Sequence, residues 1–176
     1  MKYFCYFFFF CFVLISCRNE PPQVPLNKRP KDMTKEYLLE LNKQLTEKEN
    51  KEIAEYIAEN NLTFGQSPLA FWYKIESRGE GAPLKKGDEV RILYNLSLLN
   101  GKICYTPEYK GDKIIHIGRR DIVKGLDDAL LMLNEGGRGK FIIPSSLAFG
   151  KIGDGDCVEP HRTVIFDIIS VKKSDF

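Results

Sequence analysis

The stretch DIVKGLDDALLMLNEGGRGKFIIPSSLAFG, residues 121–150, decides how the chain folds. Four apolar residues in it recur at the i, i+3, i+4, i+7 spacing of a helix with one buried face: Leu126, Ala129, Leu130 and Leu133. The glycine pair at 136–137 ends that helix, and the run KFII at 140–143 is typical of a strand that Pro144 stops. The stretch therefore predicts one short helix followed by a strand.

Alternating β-type runs lie on both sides of this helix. They cover residues 71–75, 90–99, 114–117 and 163–171. The Asn-Gly pair at 100–101 suits a tight hairpin turn. Because the runs do not alternate with further helices, they predict an α+β fold in which a twisted antiparallel β-sheet wraps over one short α-helix.

The beginning of the chain has the composition of a secretory signal. Lys2 precedes an apolar run of 13 residues, Tyr3 to Ile15, which is shorter than the roughly 20 residues of a membrane-spanning helix. The tetrad LISC at 14–17 resembles the lipobox of bacterial lipoproteins, in which cleavage leaves the cysteine as the acylated N-terminus. We expect residues 1–16 to be a lipoprotein signal peptide and Cys17 to be lipidated, the alternative being an ordinary signal in which Cys17 is incidental.

A tether and helices are predicted before the sheet. Residues 17–32 contain four prolines among polar residues, which favours extended backbone. Residues 33–62 predict two short amphipathic helices, the second starting at a capping box, TEKE, at 46–49. Two alternatives stay open for these helices: they pack on the following domain, or they pair between chains.

Composition excludes several function classes. The net charge of +2 comes from interspersed signs without a basic stripe, so we expect no nucleic-acid partner. Two histidines and two cysteines, His116, His161, Cys104 and Cys157, do not have the spacing of a compact zinc site. The run Asp-Gly-Asp at 154–156 lacks the further oxygen ligands of a calcium loop. We therefore expect no metal and no cofactor.

Four segments of the chain match one family in order: IVKGL at 122–126, NEGGRGKFIIP at 134–144, LAFG at 147–150 and PHRTVIFDI at 160–168. Their order and spacing, from about Arg91 to Lys172, resemble the FK506-binding-protein (FKBP) family of peptidyl-prolyl isomerases. With the lipobox, the chain resembles the FKBP-type lipoproteins associated with gliding motility in Bacteroidetes-like bacteria. The resemblance implies an FKBP-like isomerase domain at residues 68–176.

The same resemblance implies which residues form the proline pocket. The catalytic walls would be Tyr94, Leu126, Phe149 and Phe166. The substrate-contacting positions would be Cys104, Tyr105, Ile115, Ile122, Val123, Cys157 and Val158. For each of these, plain core packing is the alternative, and it is least natural for Tyr94, Tyr105 and Phe149.

The pocket departs from the family pattern at five of these positions. Leu126 replaces a frequent tryptophan, Cys104 and Ile115 replace phenylalanines, Tyr105 replaces an aspartate, and Phe149 replaces a tyrosine whose hydroxyl bonds the ligand. Loss of packing area and of one hydrogen bond lowers affinity for macrolide inhibitors more than it lowers the capacity to hold a proline ring. We therefore expect a proline site of weak activity.

Two cysteines, Cys104 and Cys157, are the thiols left once the signal is removed and Cys17 is acylated. In an oxidising compartment such a pair favours a disulfide. The family resemblance puts Cys104 on the strand wall and Cys157 on the loop that folds over it. Two outcomes stay open: a disulfide at the pocket rim, or two buried free thiols that act as small hydrophobes.

The expected protein is a peptidyl-prolyl cis-trans isomerase that is lipid-anchored in the bacterial cell envelope. It would face the periplasm, with the outer membrane favoured over the inner, and act as a monomer. Its partners would be X-Pro segments of unfolded or exported proteins and, through the anchor, the membrane. The alternative function is a non-catalytic FKBP-like binding lipoprotein in an envelope assembly.

Overall fold

A computed structural model describes residues 35–174, with side chains from residue 38 onward. The predicted signal peptide, the tether and Cys17 lie outside the described residues. Contacts among Cα atoms divide the chain into residues 1–41 and residues 42–176. The described part of the first unit is the beginning of one helix, and the second unit contains the rest of that helix and the whole sheet.

The described residues form three α-helices and seven strands. The helices are α1 (Lys35–Glu59), α2 (Pro107–Lys110) and α3 (Lys124–Leu130). The strands are β1 (Gly65–Gln66), β2 (Trp72–Ser77), β3 (Glu89–Leu98), β4 (Ile103–Tyr105), β5 (Lys113–His116), β6 (Arg138–Ile143) and β7 (Val164–Lys173), and a 3₁₀ turn covers Ser145–Leu147.

The seven strands form one antiparallel sheet in the order β1-β2-β6-β7-β3-β4, with β5 also pairing with β3. Each predicted strand run falls on one of these strands. This confirms the predicted α+β fold, an antiparallel sheet over one short helix.

Helix α3 packs on the inner face of the sheet and forms the main core. Its apolar side chains Leu126 and Leu130 are fully buried, together with Phe141 of β6 and Phe166 of β7. The helix ends at Leu130, and a turn follows in which the Leu133 N–H donates to the Leu130 carbonyl. The Leu133 side chain is buried in the same core. Each such leucine stabilises the fold by about 1.5–3 kcal/mol relative to its exposed state.

Gly125 sets how closely α3 approaches the sheet. A Cβ atom at this position would lie 2.4 Å from Cγ2 of Ile143 on β6. Because real Cβ contacts are longer, a larger residue would push α3 away from β6. The glycine therefore holds the start of the helix against the sheet.

The structure corrects the prediction of two helices before the sheet, because Lys35–Glu59 is one continuous helix. Thr46, which the sequence pattern assigns to an N-cap, lies inside α1, and its hydroxyl donates to the Asn42 carbonyl at 2.9 Å. Neither glycine nor proline occurs between residues 35 and 59, and the glutamates and lysines around Thr46 favour helix. The continuous propensity overrides the local capping signal. None of the described helices is long and apolar enough to cross a membrane.

The C-terminal half of α1 packs on the outer face of the sheet. Ile53 is fully buried there against Ile142 of β6 and Ile165 of β7. The Glu49 carboxylate accepts hydrogen bonds from the Ser145 N–H at 2.7 Å, the Ser145 hydroxyl at 3.1 Å and the Thr163 hydroxyl at 2.6 Å. For this half of the helix, the structure shows the first of the two alternatives, packing on the domain.

We expect Glu49→Ala to lower the free energy of unfolding by about 1–3 kcal/mol, because it leaves the buried donors of Ser145 and Thr163 without an acceptor. Glu52→Ala is the matched control: Glu52 is exposed on the same helix and its carboxylate lies 3.8 Å from the Lys48 ammonium. Its loss should cost less than about 1 kcal/mol. Urea unfolding measures both, and equal costs would show that the Glu49 bonds do not stabilise the fold.

Candidate functional site

A cavity of about 580 Å³ lies against the inner face of the sheet, next to the segment that leads into α3. Its lining comes from β3, β4, β5 and β7, from the end of α2 and the loop after it, from the segment just before α3 and from the loop after the 3₁₀ turn. This volume lies within the range of about 300–1,000 Å³ that holds small ligands. The cavity is therefore large enough for a proline ring and its neighbouring residues.

Four aromatic residues form most of the apolar wall: Tyr94, Tyr105, Phe149 and Phe166. The rings of Tyr94 and Phe166 are 5.4 Å apart and tilted by 43°, and Phe166 is almost completely buried. The pairing of β3 with β7 shifts register between Leu93 and Tyr94, which is typical of a β-bulge. The bulge lies where the strand presents Tyr94 to the cavity.

Tyr105 is fixed by a carboxylate on the opposite loop. Its hydroxyl donates to the Asp154 carboxylate, which also accepts the backbone N–H groups of Asp156, Cys157 and Val158 at 2.8–3.0 Å. Burial, and then the Asp154 carboxylate, raise the pKa of the Tyr105 hydroxyl. Burial also acts to raise the pKa of Asp154, but the four donors lower it on balance. The Tyr105 hydroxyl is thus engaged in holding the loop.

A disulfide joins the same loop to β4. Cys104 and Cys157 are bonded, with their Cα atoms 5.6 Å apart, inside the range of about 4.4–6.8 Å that disulfides need. Two further contacts hold the loop: the Lys110 ammonium lies 3.3 Å from the Asp156 carboxylate, and the Lys102 ammonium donates to the Cys157 carbonyl at 3.3 Å. Of the two outcomes left open by the sequence, the structure shows the disulfide.

The structure brings six of the predicted pocket residues together on the cavity wall: Tyr94, Tyr105, Ile122, Val123, Phe149 and Phe166. The other five do not line it. Leu126 and Ile115 are completely buried in the core, and Val158 is almost so. Cys104 and Cys157 lie in the disulfide beside Tyr105.

Seven residues on the lining, five of them charged, were missed by the sequence interpretation: Leu96, Lys110, Gly111, Asp112, Lys113, Arg120 and Asp121. For Lys113 a signal was present, because it lies two residues before Ile115 on β5. Strand alternation puts residues i and i+2 on the same face. The side chain that reaches the cavity from β5 is therefore Lys113, while Ile115 fills the core.

The two carboxylates on the lining are bound by donors outside it. The Asp112 carboxylate accepts from the Arg91 guanidinium at 2.7 Å. The Asp121 carboxylate accepts from the His116 N–H at 2.9 Å and lies 2.8 Å from His116 Nδ1, and these contacts lower its pKa. In the part of the chain that the structure describes, no three His, Cys, Asp or Glu side chains lie together as metal ligands.

An antiparallel sheet around one helix, with an aromatic cavity at its side, defines the FKBP class of folds. Residues 80–169 match the family described as FKBP-type peptidyl-prolyl cis-trans isomerase. The chain belongs to this family.

Several proteins are similar to this chain, and the part of the chain that each one matches differs in length. A probable FKBP-type peptidyl-prolyl cis-trans isomerase of Haemophilus influenzae is 32% identical over 72% of this chain and 51% of its own length. The outer membrane protein MIP of Legionella longbeachae is 31% identical over 85% of this chain and 65% of its own. The crystal structure of AtFKBP13 superposes with a TM-score of 0.59 and 27% identity over 64% of this chain and 99% of that one. The chain spans about half the length of the Haemophilus relative.

Proposed function

We propose that the chain catalyses cis-trans isomerisation of X-Pro bonds in unfolded or exported proteins. The observation that carries the proposal is the cavity of about 580 Å³, with Phe166 buried beneath it and Tyr94, Phe149, Ile122 and Val123 around it. Membership of an isomerase family supports it.

Prolyl isomerisation needs an apolar cavity that binds the proline ring rather than chemically reactive side chains. Rotation about an amide costs roughly 18–20 kcal/mol because twisting removes C–N resonance. The twisted amide has less charge separation than the planar one, so a cavity that holds the proline ring against apolar walls favours it. Such differential binding lowers the barrier with no covalent step and no cofactor.

Two observations favour the alternative, a non-catalytic binding lipoprotein that uses the same cavity. Phe149 supplies no hydroxyl at the position where the resemblance implies one, and the hydroxyl of Tyr105 is bonded to Asp154. Lys113 adds a cation to the lining. The cavity thus offers a ligand fewer free hydroxyl groups and a less uniform apolar wall than the resemblance implies.

Exchange spectroscopy on a short prolyl peptide distinguishes the two functions. Without a catalyst, X-Pro exchange takes tens to hundreds of seconds, so catalysis appears as faster exchange between the cis and trans resonances. We expect acceleration that grows with protein concentration. No acceleration by a protein with a cooperative thermal melt would contradict the isomerase proposal and leave the binding function.

Restoring a hydroxyl at the cavity wall tests which departure from the family pattern lowers the affinity of the site for ligands. We expect Phe149→Tyr to raise affinity for the macrolide FK506 by about 2- to 10-fold, the value of one net hydrogen bond. Fluorescence titration of wild type and variant measures the change. An unchanged affinity would show that other departures from the family pattern, such as those at Leu126 and Cys104, limit binding instead.

We also propose a lipid anchor at Cys17 and a place in the cell envelope, facing the periplasm and favouring the outer membrane. The lipobox at residues 14–17 supports this proposal, and the name of the Legionella relative is that of an outer membrane protein. We expect Cys17→Ala to leave an uncleaved precursor or a protein released from membranes. Intact-mass measurement of the membrane-bound wild type should show a diacyl or triacyl modification, and an unmodified Cys17 would contradict the anchor.

Three finer statements remain predictions. The association with gliding motility rests on the resemblance to the Bacteroidetes-like lipoproteins. The division into residues 1–16, 17–32, 33–62 and 68–176 rests on sequence patterns. The monomeric state rests on the lack of sustained heptads in the helical segment.

A further inference from the structure

Two cations on the cavity lining have no partner in the described part of the chain. Lys113 projects from the beginning of β5, and Arg120 comes from the segment just before α3. Within residues 38–174, neither side chain forms an ion pair or a side-chain hydrogen bond. Their charges are therefore available to a ligand.

The remaining charges on the lining are already engaged. Asp112 is bound by Arg91 and Asp121 by His116. Lys110 is 3.3 Å from Asp156 and lies over the ring of Tyr105, 5.1 Å from its centroid. The lining therefore presents two free positive charges, and both of its carboxylates are satisfied by donors outside it.

The backbone of Arg120 is a second, independent observation. Its φ is +62°, in the left-handed region that glycine adopts without penalty and other residues rarely adopt. Four described non-glycine residues have a positive φ, and Arg120 is the one of them that lines this cavity. Unfavourable backbone that persists at a ligand site is typical of a functional constraint. The constraint fits a need for the arginine side chain at this place.

We propose that Lys113 and Arg120 select substrates in which a residue with a carboxylate side chain stands next to the proline. This specificity rests on the proposed isomerase function and adds a substrate class to it, acidic X-Pro or Pro-X segments. The physical reason is that an ion pair formed beside low-dielectric aromatic walls is stronger than the same pair in open water. Each cation gains a partner that the folded chain does not supply.

Matched peptide pairs test the proposal. One pair is acetyl-Ala-Glu-Pro-Ala-amide with its glutamine counterpart, and the other is acetyl-Ala-Ala-Pro-Glu-amide with its glutamine counterpart. Glutamate and glutamine have nearly the same shape, so their difference isolates the charge. We expect kcat/KM to be about 3- to 10-fold higher for the glutamate peptide in at least one pair, the size of one or two partly exposed ion pairs. Chemical-shift titration gives the corresponding ratio of dissociation constants without requiring catalysis.

The variant Lys113→Gln/Arg120→Gln should bring the Glu/Gln ratio to about one. Lys74→Gln/Arg138→Gln is the matched control, because it removes the same two charges from β2 and β6, where neither residue lines the cavity. The control should keep the wild-type ratio. On the wild type alone, raising the salt from 0.1 M to 1 M should reduce the ratio toward one, since the Debye length falls from about 10 Å to 3 Å. This salt series keeps the test decisive if the double variant does not fold.

Each outcome bears on one proposal. Equal turnover and equal binding of glutamate and glutamine peptides would overturn the acidic specificity and leave the isomerase function intact. A Glu/Gln binding ratio above one that depends on Lys113 and Arg120, with no catalysis of any peptide, would support the specificity and contradict the isomerase function. A ratio that falls equally in the control variant would assign the preference to net charge and overturn the proposal.

Discussion

Replacing Phe166 by alanine is expected to lower the free energy of unfolding by about 3–5 kcal/mol, the cost of removing a fully buried phenylalanine. Phe166 is 1% exposed and stands directly opposite Leu96 on β3 and Phe141 on β6. The centroid of its ring also lies 5.4 Å from the ring centroid of Tyr94. Removing the ring leaves a void at the centre of the sheet, where neighbours on both strands are fixed by backbone pairing.

Urea unfolding measures this cost, with Ile169→Ala as the control. Ile169 lies on the same strand but is 40% exposed, so its truncation should cost about 0.5 kcal/mol. A Phe166→Ala cost below about 1 kcal/mol would show that the site collapses around the void.

A second substitution separates the catalytic contribution of Phe166 from its structural one. Phe166→Leu keeps most of the apolar volume and should fold, but it removes the aromatic floor of the cavity. Ile168→Val is its control, because Ile168 is buried in the same core without lining the cavity. Ile168→Val should lower the free energy of unfolding by about 0.5–1.5 kcal/mol. We expect kcat/KM on a prolyl peptide to fall in Phe166→Leu and to stay unchanged in Ile168→Val.

The fold could be predicted because its local patterns agree with the final packing. Leu126, Ala129 and Leu130 share one helix face, and all three are buried against the sheet. The alternation along β6 likewise sends Phe141 to the inner face and Ile142 to the outer one. In both elements, burial in the folded protein follows the periodicity that the sequence displays.

Helix α1 shows where local patterns fail. The capping box at Thr46 is a signal of a few residues, and it competes with uninterrupted helix propensity over Lys35–Glu59. A capping residue acts only if the preceding chain leaves the helical conformation. Here no glycine or proline makes it leave, so the Thr46 hydroxyl bonds backward to Asn42 instead.

The cavity could be predicted in its aromatic half and not in its polar half. Tyr94, Phe149 and Phe166 follow from the family resemblance, because they stand at positions where the family also has aromatic residues. Arg120 and Asp112 stand in a turn and a loop, so no periodicity assigns their direction. Their placement depends on the backbone dihedrals of those segments, and for Arg120 on a positive φ that a sequence without glycine at this position does not indicate.

Loss of the Cys104–Cys157 disulfide is expected to lower the free energy of unfolding by about 4 kcal/mol. The bond closes a loop with a sequence separation of 53 residues, and the chain-entropy account assigns this value to a loop of that length. In this account the disulfide stabilises the fold mainly by lowering the conformational entropy of the unfolded chain. In the folded chain, the Tyr105 hydroxyl and the Lys110 and Lys102 ammonium groups still hold the same loop.

Because these contacts remain, we expect the reduced protein to keep its cavity and most of the isomerase activity that we propose for it. With the bond formed, the cavity has room for a ligand, which favours a site pre-shaped by the disulfide over one locked by it. A locked site would instead gain activity on reduction, so peptide exchange rates before and after dithiothreitol distinguish the two.

The variant Cys104→Ala/Cys157→Ala measures the stability term by urea unfolding. Dithiothreitol should lower the stability of the wild type by a similar amount and leave that of the double variant unchanged, which controls for effects of the reductant elsewhere. Non-reducing peptide mapping should recover one fragment that contains both cysteines. Recovery of separate, alkylated Cys104 and Cys157 peptides from the non-reduced protein would contradict the bond, and a stability loss below about 1 kcal/mol would show that the unfolded chain is already compact around this loop.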